Sequence, residues 1–143
     1  MKNLLVLLSL SLTLTAMGQT ADSWKVCWNK KVLLKTGKED ETANTKKINA
    51  ADLNKKYSLE ISYKEASDKD LKDWKRSILF FNESDNPLRK DSTRSVKLSA
   101  AELKTLFGDK KKIKIYTVAI PSDPNRAAQV RVRRVHLCTL ELQ

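Results

Sequence analysis

His136 and Cys138 are the residues of this sequence whose side chains are best suited to nucleophilic catalysis. His136 is the only histidine among 143 residues, so a Ser-His-Asp triad would have to use it. Both residues lie on a predicted strand, where a spacing of two places their side chains on one face about 7 Å apart. That separation is too large for direct proton transfer, and no G-x-S-x-G motif is present. We therefore expect a protein that is not an enzyme.

The remaining ligand-type residues exclude the common metal and nucleotide sites. One histidine and two cysteines are too few for a Cys/His zinc centre of the usual structural kind. The acidic residues at 39–41 and 68–73 do not match a calcium-binding loop and are typical of solvated surface. Neither G-x-G-x-x-G nor G-x-x-x-x-G-K-[ST] occurs in the chain. We expect neither a metal nor a cofactor.

Positive charge is the feature that indicates a function most directly. The chain has 28 lysine and arginine residues against 17 acidic ones, a net charge of +11 at pH 7. The excess is concentrated in residues 110–143, where only Asp123 and Glu141 are acidic. Because the arginine fork matches phosphate, sulfate and carboxylate groups, this segment favours an anionic partner. The candidate binding residues are Lys110, Lys111, Lys112, Lys114, Arg126, Arg131, Arg133 and Arg134.

Two binding functions fit this charge distribution. In the first, the protein is an exported, non-catalytic binding or inhibitor-like protein that presents a basic face to an acidic macromolecular partner. In the alternative, it binds an anionic polymer such as nucleic acid, acidic glycan or lipid headgroups. A basic surface that only keeps the protein soluble is a third interpretation. All three fit the sequence.

Residues 1–18 have the three parts of a secretory signal peptide. Lys2 provides the positive start, residues 4–14 form the apolar run, and Ala16 and Gly18 are the small residues that a signal peptidase reads. The apolar run is shorter than the ~20 residues that a transmembrane helix needs. We expect cleavage before Gln19 and a secreted or periplasmic protein with no later membrane-spanning segment.

Cys27 and Cys138 are the two cysteines of the chain. In an oxidising compartment such a pair usually forms a disulfide. The bond would join the first predicted strand to the last and close a loop of about 110 residues, with a chain-entropy gain of at most ~4–5 kcal/mol. We therefore expect a Cys27–Cys138 disulfide.

Apolar patterning predicts the strands that would position these residues. Trp24, Val26 and Trp28 alternate with polar residues, and residues 57–63 alternate strictly, so each segment has one wet face. The three tryptophans, Trp24, Trp28 and Trp74, are interpreted as core or edge-capping residues rather than as a sugar-stacking platform. Apolar residues run almost continuously through 77–81 and 113–120, which is typical of strands covered on both faces.

The other segments complete a mainly β expectation. Residues 36–47 carry little to bury and predict an exposed loop. Residues 129–142 predict one long strand whose apolar phase slips at Arg133 and Arg134, which indicates a β-bulge there. We expect one domain over residues 19–143, a small β-sandwich or partly open barrel with one or two short helices.

Two capped segments predict an internal repeat. Residues 48–53 and 98–103 match position by position at an offset of 50, and each has a helix N-cap residue at its second position, Asn49 or Ser99. At the same offset, the Trp-Lys pair at 24–25 matches the pair at 74–75. We expect two duplicated units, residues 24–63 and 74–119, packed into one core. Coincidence between common capping residues is the alternative.

Overall fold

Nine strands form two sheets in the computed structural model, which describes residues 21–66 and 73–143. The predicted signal peptide lies outside the described residues. The strands are β1 (Ser23–Trp28), β2 (Lys31–Thr36), β3 (Thr45–Ile48), β4 (Ser58–Lys64), β5 (Trp74–Phe81), β6 (Pro87–Asp91), β7 (Ser95–Ser99), β8 (Lys112–Pro121) and β9 (Val135–Leu142). The helical segments are a 3₁₀ turn at Ala50–Asn54 and the helices α1 (Ala100–Phe107) and α2 (Pro124–Gln129).

The two sheets give a sandwich-like arrangement. The four-stranded sheet has the order β2-β1-β4-β7, and the five-stranded sheet has the order β3-β9-β8-β5-β6. All neighbours are antiparallel except β3 and β9, which are parallel. The predicted mainly β class, with a small β-sandwich-like fold and short helices, is confirmed.

The core lies between the inner faces of the sheets. In the four-stranded sheet, Val26 on β1 is paired with Ile61 on β4, and both side chains are fully buried. In the five-stranded sheet, Phe80 on β5 is paired with Ile115 on β8, and both are again fully buried. The indole Nε1 of Trp24 donates a 2.8 Å hydrogen bond to a β9 carbonyl, which ties the first strand to the opposite sheet.

The two capped segments fold as predicted and contact each other. The Ser99 hydroxyl accepts from the Glu102 amide, and the Glu102 carboxylate accepts from the Ser99 amide at 2.8 Å, a complete capping box at the start of α1. In the 3₁₀ turn, the Asn49 side chain accepts from the amide of the second residue after it. Lys104 Nζ donates to Asn54 Oδ1 at 2.7 Å, so two positions that are equivalent at the offset of 50 touch.

The segments proposed as repeats have the same order of elements. Each consists of three strands, a capped helical turn and a fourth strand. In both, the first strand pairs antiparallel with the second and the fourth. The third strand of each lies in the other sheet, β7 beside β4 and β3 beside β9. A duplicated unit accounts for this arrangement, and the duplication itself stays a prediction.

The predicted strand 129–142 is wrong in its first half. Residues 124–129 form α2, and β9 begins only at Val135. The sequence contains the signal for α2, which includes Gln129 of the predicted strand, because Asp123 caps the helix through the Asn125 amide and Pro124 occupies its first turn, where proline is favoured. The bulge of β9 lies at Leu137, opposite the Ile115–Tyr116 step, and not at Arg133 and Arg134.

The predicted exposed loop over residues 36–47 is also partly wrong. Its last residues begin β3, whose register runs from Thr45 opposite Thr139 to Ile48 opposite Leu142. The two lysines in the middle of this four-residue strand leave no alternation of apolar residues, and Ile48 is its only buried residue. The sequence pattern therefore did not predict β3.

The predicted disulfide is wrong: Cys27 and Cys138 are both buried free thiols. Cys27 alternates with the core residues Val26 and Trp28, so its side chain lies on the outer face of the four-stranded sheet. Cys138 belongs to the core cluster between the sheets. Burial raises the pKa of the Cys138 thiol to about 12, so it is protonated at neutral pH.

Candidate binding surface

The predicted basic residues fall into two main groups at opposite ends of the β8–β9 pair. The lysines at 110–114 lie at the start of β8, and the arginines at 131–134 lie just before β9. Since β8 and β9 are antiparallel, with Lys112 opposite Glu141 and Thr117 opposite Val135, five residues of strand separate the ends, about 16 Å. Arg126 lies apart from both groups, on α2.

Half of these basic side chains have a carboxylate partner. Exposed ion pairs of this kind contribute little to stability, but they change the character of the surface from uniformly cationic to mixed. The pairs are Lys110 with Asp109 (3.9 Å), Lys112 with Glu141 (3.8 Å), Lys114 with Asp85 (3.6 Å) and Arg133 with Glu39.

Aromatic rings and cations meet on the outer face of the five-stranded sheet. We call Phe81, Lys114, Tyr116, Arg134 and His136 the aromatic-basic face. The Tyr116 ring lies edge-on to Phe81, with 5.6 Å between centroids, and to His136, with 5.4 Å. The Arg134 guanidinium lies 4.6 Å from the Phe81 centroid and 4.9 Å from that of Tyr116. Arg134 is exposed and both rings are half-buried, so the guanidinium is held at the surface.

Strand register explains why these residues share one face. On β8, Ile113 and Ile115 point into the core, so Lys114 and Tyr116 point outward. Lys114 is opposite Phe81 on β5, and Tyr116 is opposite His136 on β9.

The bulge in β9 decides the position of His136. Because Leu137 is an extra residue in the pairing, His136 lies on the same face as Thr139, and its Nε2 is 2.9 Å from the Thr139 hydroxyl. Cys138 points into the core instead. The predicted shared face of His136 and Cys138 is therefore wrong, and the two side chains do not form a nucleophile–base pair.

Glu39 ties the long loop after β2 to the start of β9. Its carboxylate accepts a 2.8 Å hydrogen bond from the His136 amide and a second one from the Arg133 guanidinium. Burial acts to raise the pKa of Glu39, but these hydrogen bonds outweigh it and lower that pKa below its ordinary value. Glu39 is therefore ionised at neutral pH and fixes Arg133 beside the aromatic-basic face.

The His136 ring is almost fully buried beneath this loop. Burial lowers its pKa, and Lys114 acts in the same direction, against the opposing effect of Glu41 and Glu39. The imidazole is therefore neutral at neutral pH. Its Nδ1 atom is buried and has no hydrogen-bond partner among the residues that the structure describes.

Phe81 and Tyr116 are the residues of this surface that sequence reasoning missed. Both lie in apolar runs that were interpreted as buried strands, whereas each ring is half-exposed. The sequence signal for this exposure was the polar or amphipathic residue at every second position of β8, Lys112, Lys114 and Tyr116. This alternation predicts that one face of the strand is exposed to solvent.

No protein-family model matches the chain, and no curated protein or solved structure matches it either. In residues 21–66 and 73–143, no helix has the length and apolarity needed to cross a membrane. Over the same ranges, no group of three or more His, Cys, Asp or Glu side chains is placed to hold a metal ion. The aromatic-basic face is therefore interpreted from its own geometry and charge.

Proposed function

We propose that this is an exported, non-catalytic binding or inhibitor-like protein whose aromatic-basic face binds an acidic surface of a macromolecular partner. The observation that carries the proposal is the Arg134 guanidinium, exposed and held over the rings of Phe81 and Tyr116. Arg133, which is fixed by Glu39, precedes it in the chain, and Arg131 is also exposed.

The Phe81 and Tyr116 rings favour one position of the Arg134 guanidinium. A cation–π contact contributes about 0.5–1 kcal/mol at an exposed site, which favours positions of the guanidinium over the rings. No carboxylate of the described residues is paired with Arg134, so its N–H donors are available to a partner's carboxylate. Arginine and tyrosine are also the residue types enriched where protein interfaces gain most of their binding energy.

The acidic residues near this face favour a protein partner over an anionic polymer. Asp85 is paired with Lys114, and Glu39 and Glu141 lie at either end of β9. These carboxylates compete with a polyanion for the basic side chains, whereas a folded protein can present both signs of charge. The basic excess of residues 110–143 still steers an acidic partner toward the molecule.

The deciding experiment is affinity capture from the native extracellular or periplasmic fraction, followed by a titration of the captured partner. An acidic protein partner gives a saturable one-to-one complex. The alternative, an anionic polymer, gives an affinity for heparin fragments that grows with fragment length and falls steeply with salt. Length-dependent heparin binding without any one-to-one protein complex would contradict the proposal.

Export is the part of this proposal that can be tested alone. Signal-peptide cleavage before Gln19 predicts an exported chain that begins at Gln19. Intact-mass measurement on the exported protein checks this, and exported material that still carries Met1 would contradict it.

A further inference from the structure

A cavity of about 440 Å³ lies where the chain crosses from one sheet to the other. One wall is the start of β5 in the five-stranded sheet, and the other is the connection from β6 to β7, which enters the four-stranded sheet. Its volume is within the range of pockets that hold small organic ligands. The lining residues are Trp74, Lys75, Arg76, Ser92, Thr93, Arg94 and Ser95.

Two arginines of this cavity share one carboxylate oxygen. Arg76 Nε lies 2.7 Å and Arg94 Nε 3.3 Å from Glu65 Oε1. Among the described residues, Glu65 is the only acid in contact with either guanidinium. With Lys75 in the wall, the four charged groups carry a net charge of +2.

The cationic excess is partly buried and held in place. The Arg76 and Glu65 side chains are only 11% and 9% exposed. Arg76 is stacked on the Tyr63 ring at 4.0 Å, and its Nη1 donates to the Thr117 hydroxyl at 3.2 Å. Burial of the Arg76 guanidinium has a desolvation cost, and the carboxylate oxygen that Arg76 shares with Arg94 offsets only part of it. A second anion at this site would reduce the remaining cost. Flexible surface lysines carry no such cost.

Arg94 presents the donors that an anion would use. Its side chain is 41% exposed, and within the described residues only its Nε has a side-chain partner. The two terminal Nη groups of Arg94 therefore remain as a fork without a side-chain partner in the described part of the chain, and Ser92 and Ser95 line the same cavity. This set of donors suits the oxygens of a carboxylate or a phosphate.

The rest of the wall indicates an organic ligand and not a bare ion. The cavity is several times larger than an inorganic anion, and the half-buried indole of Trp74 supplies an apolar surface. The Arg126 guanidinium lies 5.4 Å from the Trp74 ring centroid, so this side of the pocket is also cationic.

We propose that this cavity binds a small organic anion, with its carboxylate or phosphate group on the Arg94 fork beside Arg76 and its ring or apolar part against Trp74. Glu65 is the positioning residue, since it fixes both guanidiniums from below. The site is separate from the aromatic-basic face and does not depend on the acidic partner proposed for that face.

Isothermal titration with benzoate, phenyl phosphate and benzyl alcohol tests this site. At least one of the two anions should bind saturably with one site per chain, and the neutral alcohol should not bind. The anion that binds more tightly identifies the preferred head group. Absence of saturable binding by both anions, or equal binding of the alcohol, would overturn the proposal.

Variants then locate the site. Arg94→Gln should weaken anion binding at least tenfold, and Arg94→Lys should weaken it less, because lysine keeps the charge and loses the fork. Lys90→Gln, an exposed residue of β6 with the same change in charge, is the matched control. Arg134→Glu should bind the anion as the wild type does, which separates this test from that of the aromatic-basic face. Equal loss in Arg94→Gln and Lys90→Gln would contradict the assignment.

Discussion

His136 shows how strongly one residue's surroundings set its chemistry. In the sequence it is the only imidazole and the natural candidate for a general base. In the fold it is buried between the Tyr116 ring and the Thr139 hydroxyl, with Glu39 and Glu41 on the loop above and Lys114 on β8. Burial dominates over the two carboxylates and lowers its pKa. The ring is therefore a neutral packing element of the aromatic-basic face.

This burial predicts a loss of stability on mild acidification. The folded pKa of His136 lies below the ordinary value of 6.5, so as pH falls through 6.5 the unfolded chain takes up a proton that the folded chain does not. The free energy of unfolding should therefore decrease between about pH 7 and pH 5.5, with a slope of at most about 1.4 kcal/mol per pH unit. Urea unfolding across this range measures it.

The control for this prediction is His136→Gln, which removes the titrating group. Glu39 stays ionised across the same range because its pKa is lowered. The variant should show a flatter dependence of stability on pH. The same pH profile in both proteins would mean that His136 is not the group responsible.

Most individual strands and helices could be predicted from local sequence patterns, whereas the others depend on strand pairing. Alternation correctly marked β1 and β4, and the capping box marked α1. Alternation failed to predict β3, because this strand carries two lysines and is defined by its pairing with β9. The types of the basic residues in the candidate site could be predicted, but their contact with Phe81 and Tyr116 could not. That contact depends on β5 lying next to β8, which no local pattern encodes.

Gly37, just after β2, lies very close to the backbone of Asp22, just before β1. A Cβ added to Gly37 would lie 2.5 Å from the backbone oxygen of Asp22. Asp22 cannot shift freely, because its carboxylate accepts hydrogen bonds from the Tyr63 hydroxyl at 2.6 Å and the Ala66 amide at 2.7 Å. Gly37→Ala should therefore lower the free energy of unfolding by about 1–3 kcal/mol in chemical denaturation.

Gly108→Ala is the comparison for Gly37→Ala. Gly108 has φ +56° and ψ −121° at the end of α1, and its Cβ would make only ordinary contact, with the Thr105 carbonyl oxygen 4.0 Å away. Only backbone strain of about 1–3 kcal/mol opposes that change. A Gly37→Ala protein as stable as the wild type would show that β1 and β2 do not meet as closely as described.

At the scale of the whole molecule, the exchanged third strands bind the two halves into one structure. β7, from the second predicted unit, completes the sheet of the first, and β3, from the first unit, lies in the sheet of the second. Unfolding of either half would therefore remove an edge strand from the sheet of the other half and uncover the core between the sheets. This arrangement explains how two units that each bury one apolar face share a single core.

We therefore expect a single cooperative unfolding transition. In a Trp74→Phe background, the fluorescence of Trp24 and Trp28 reports on the four-stranded sheet, while far-ultraviolet circular dichroism reports on both sheets. The midpoints of unfolding in urea should coincide for tryptophan fluorescence and circular dichroism. Two separate transitions would indicate that the halves fold independently.

The most direct measurement of the central claim is the affinity of the captured partner for two charge-reversal variants at one ionic strength. Lys114→Glu/Arg134→Glu changes the aromatic-basic face. Lys25→Glu/Lys35→Glu makes the same change in charge at paired, exposed positions of the opposite sheet. We predict at least a hundredfold loss of affinity for the first variant and at most a few-fold loss for the second. An equal loss in both would show that only net charge matters and would contradict a binding site on this face.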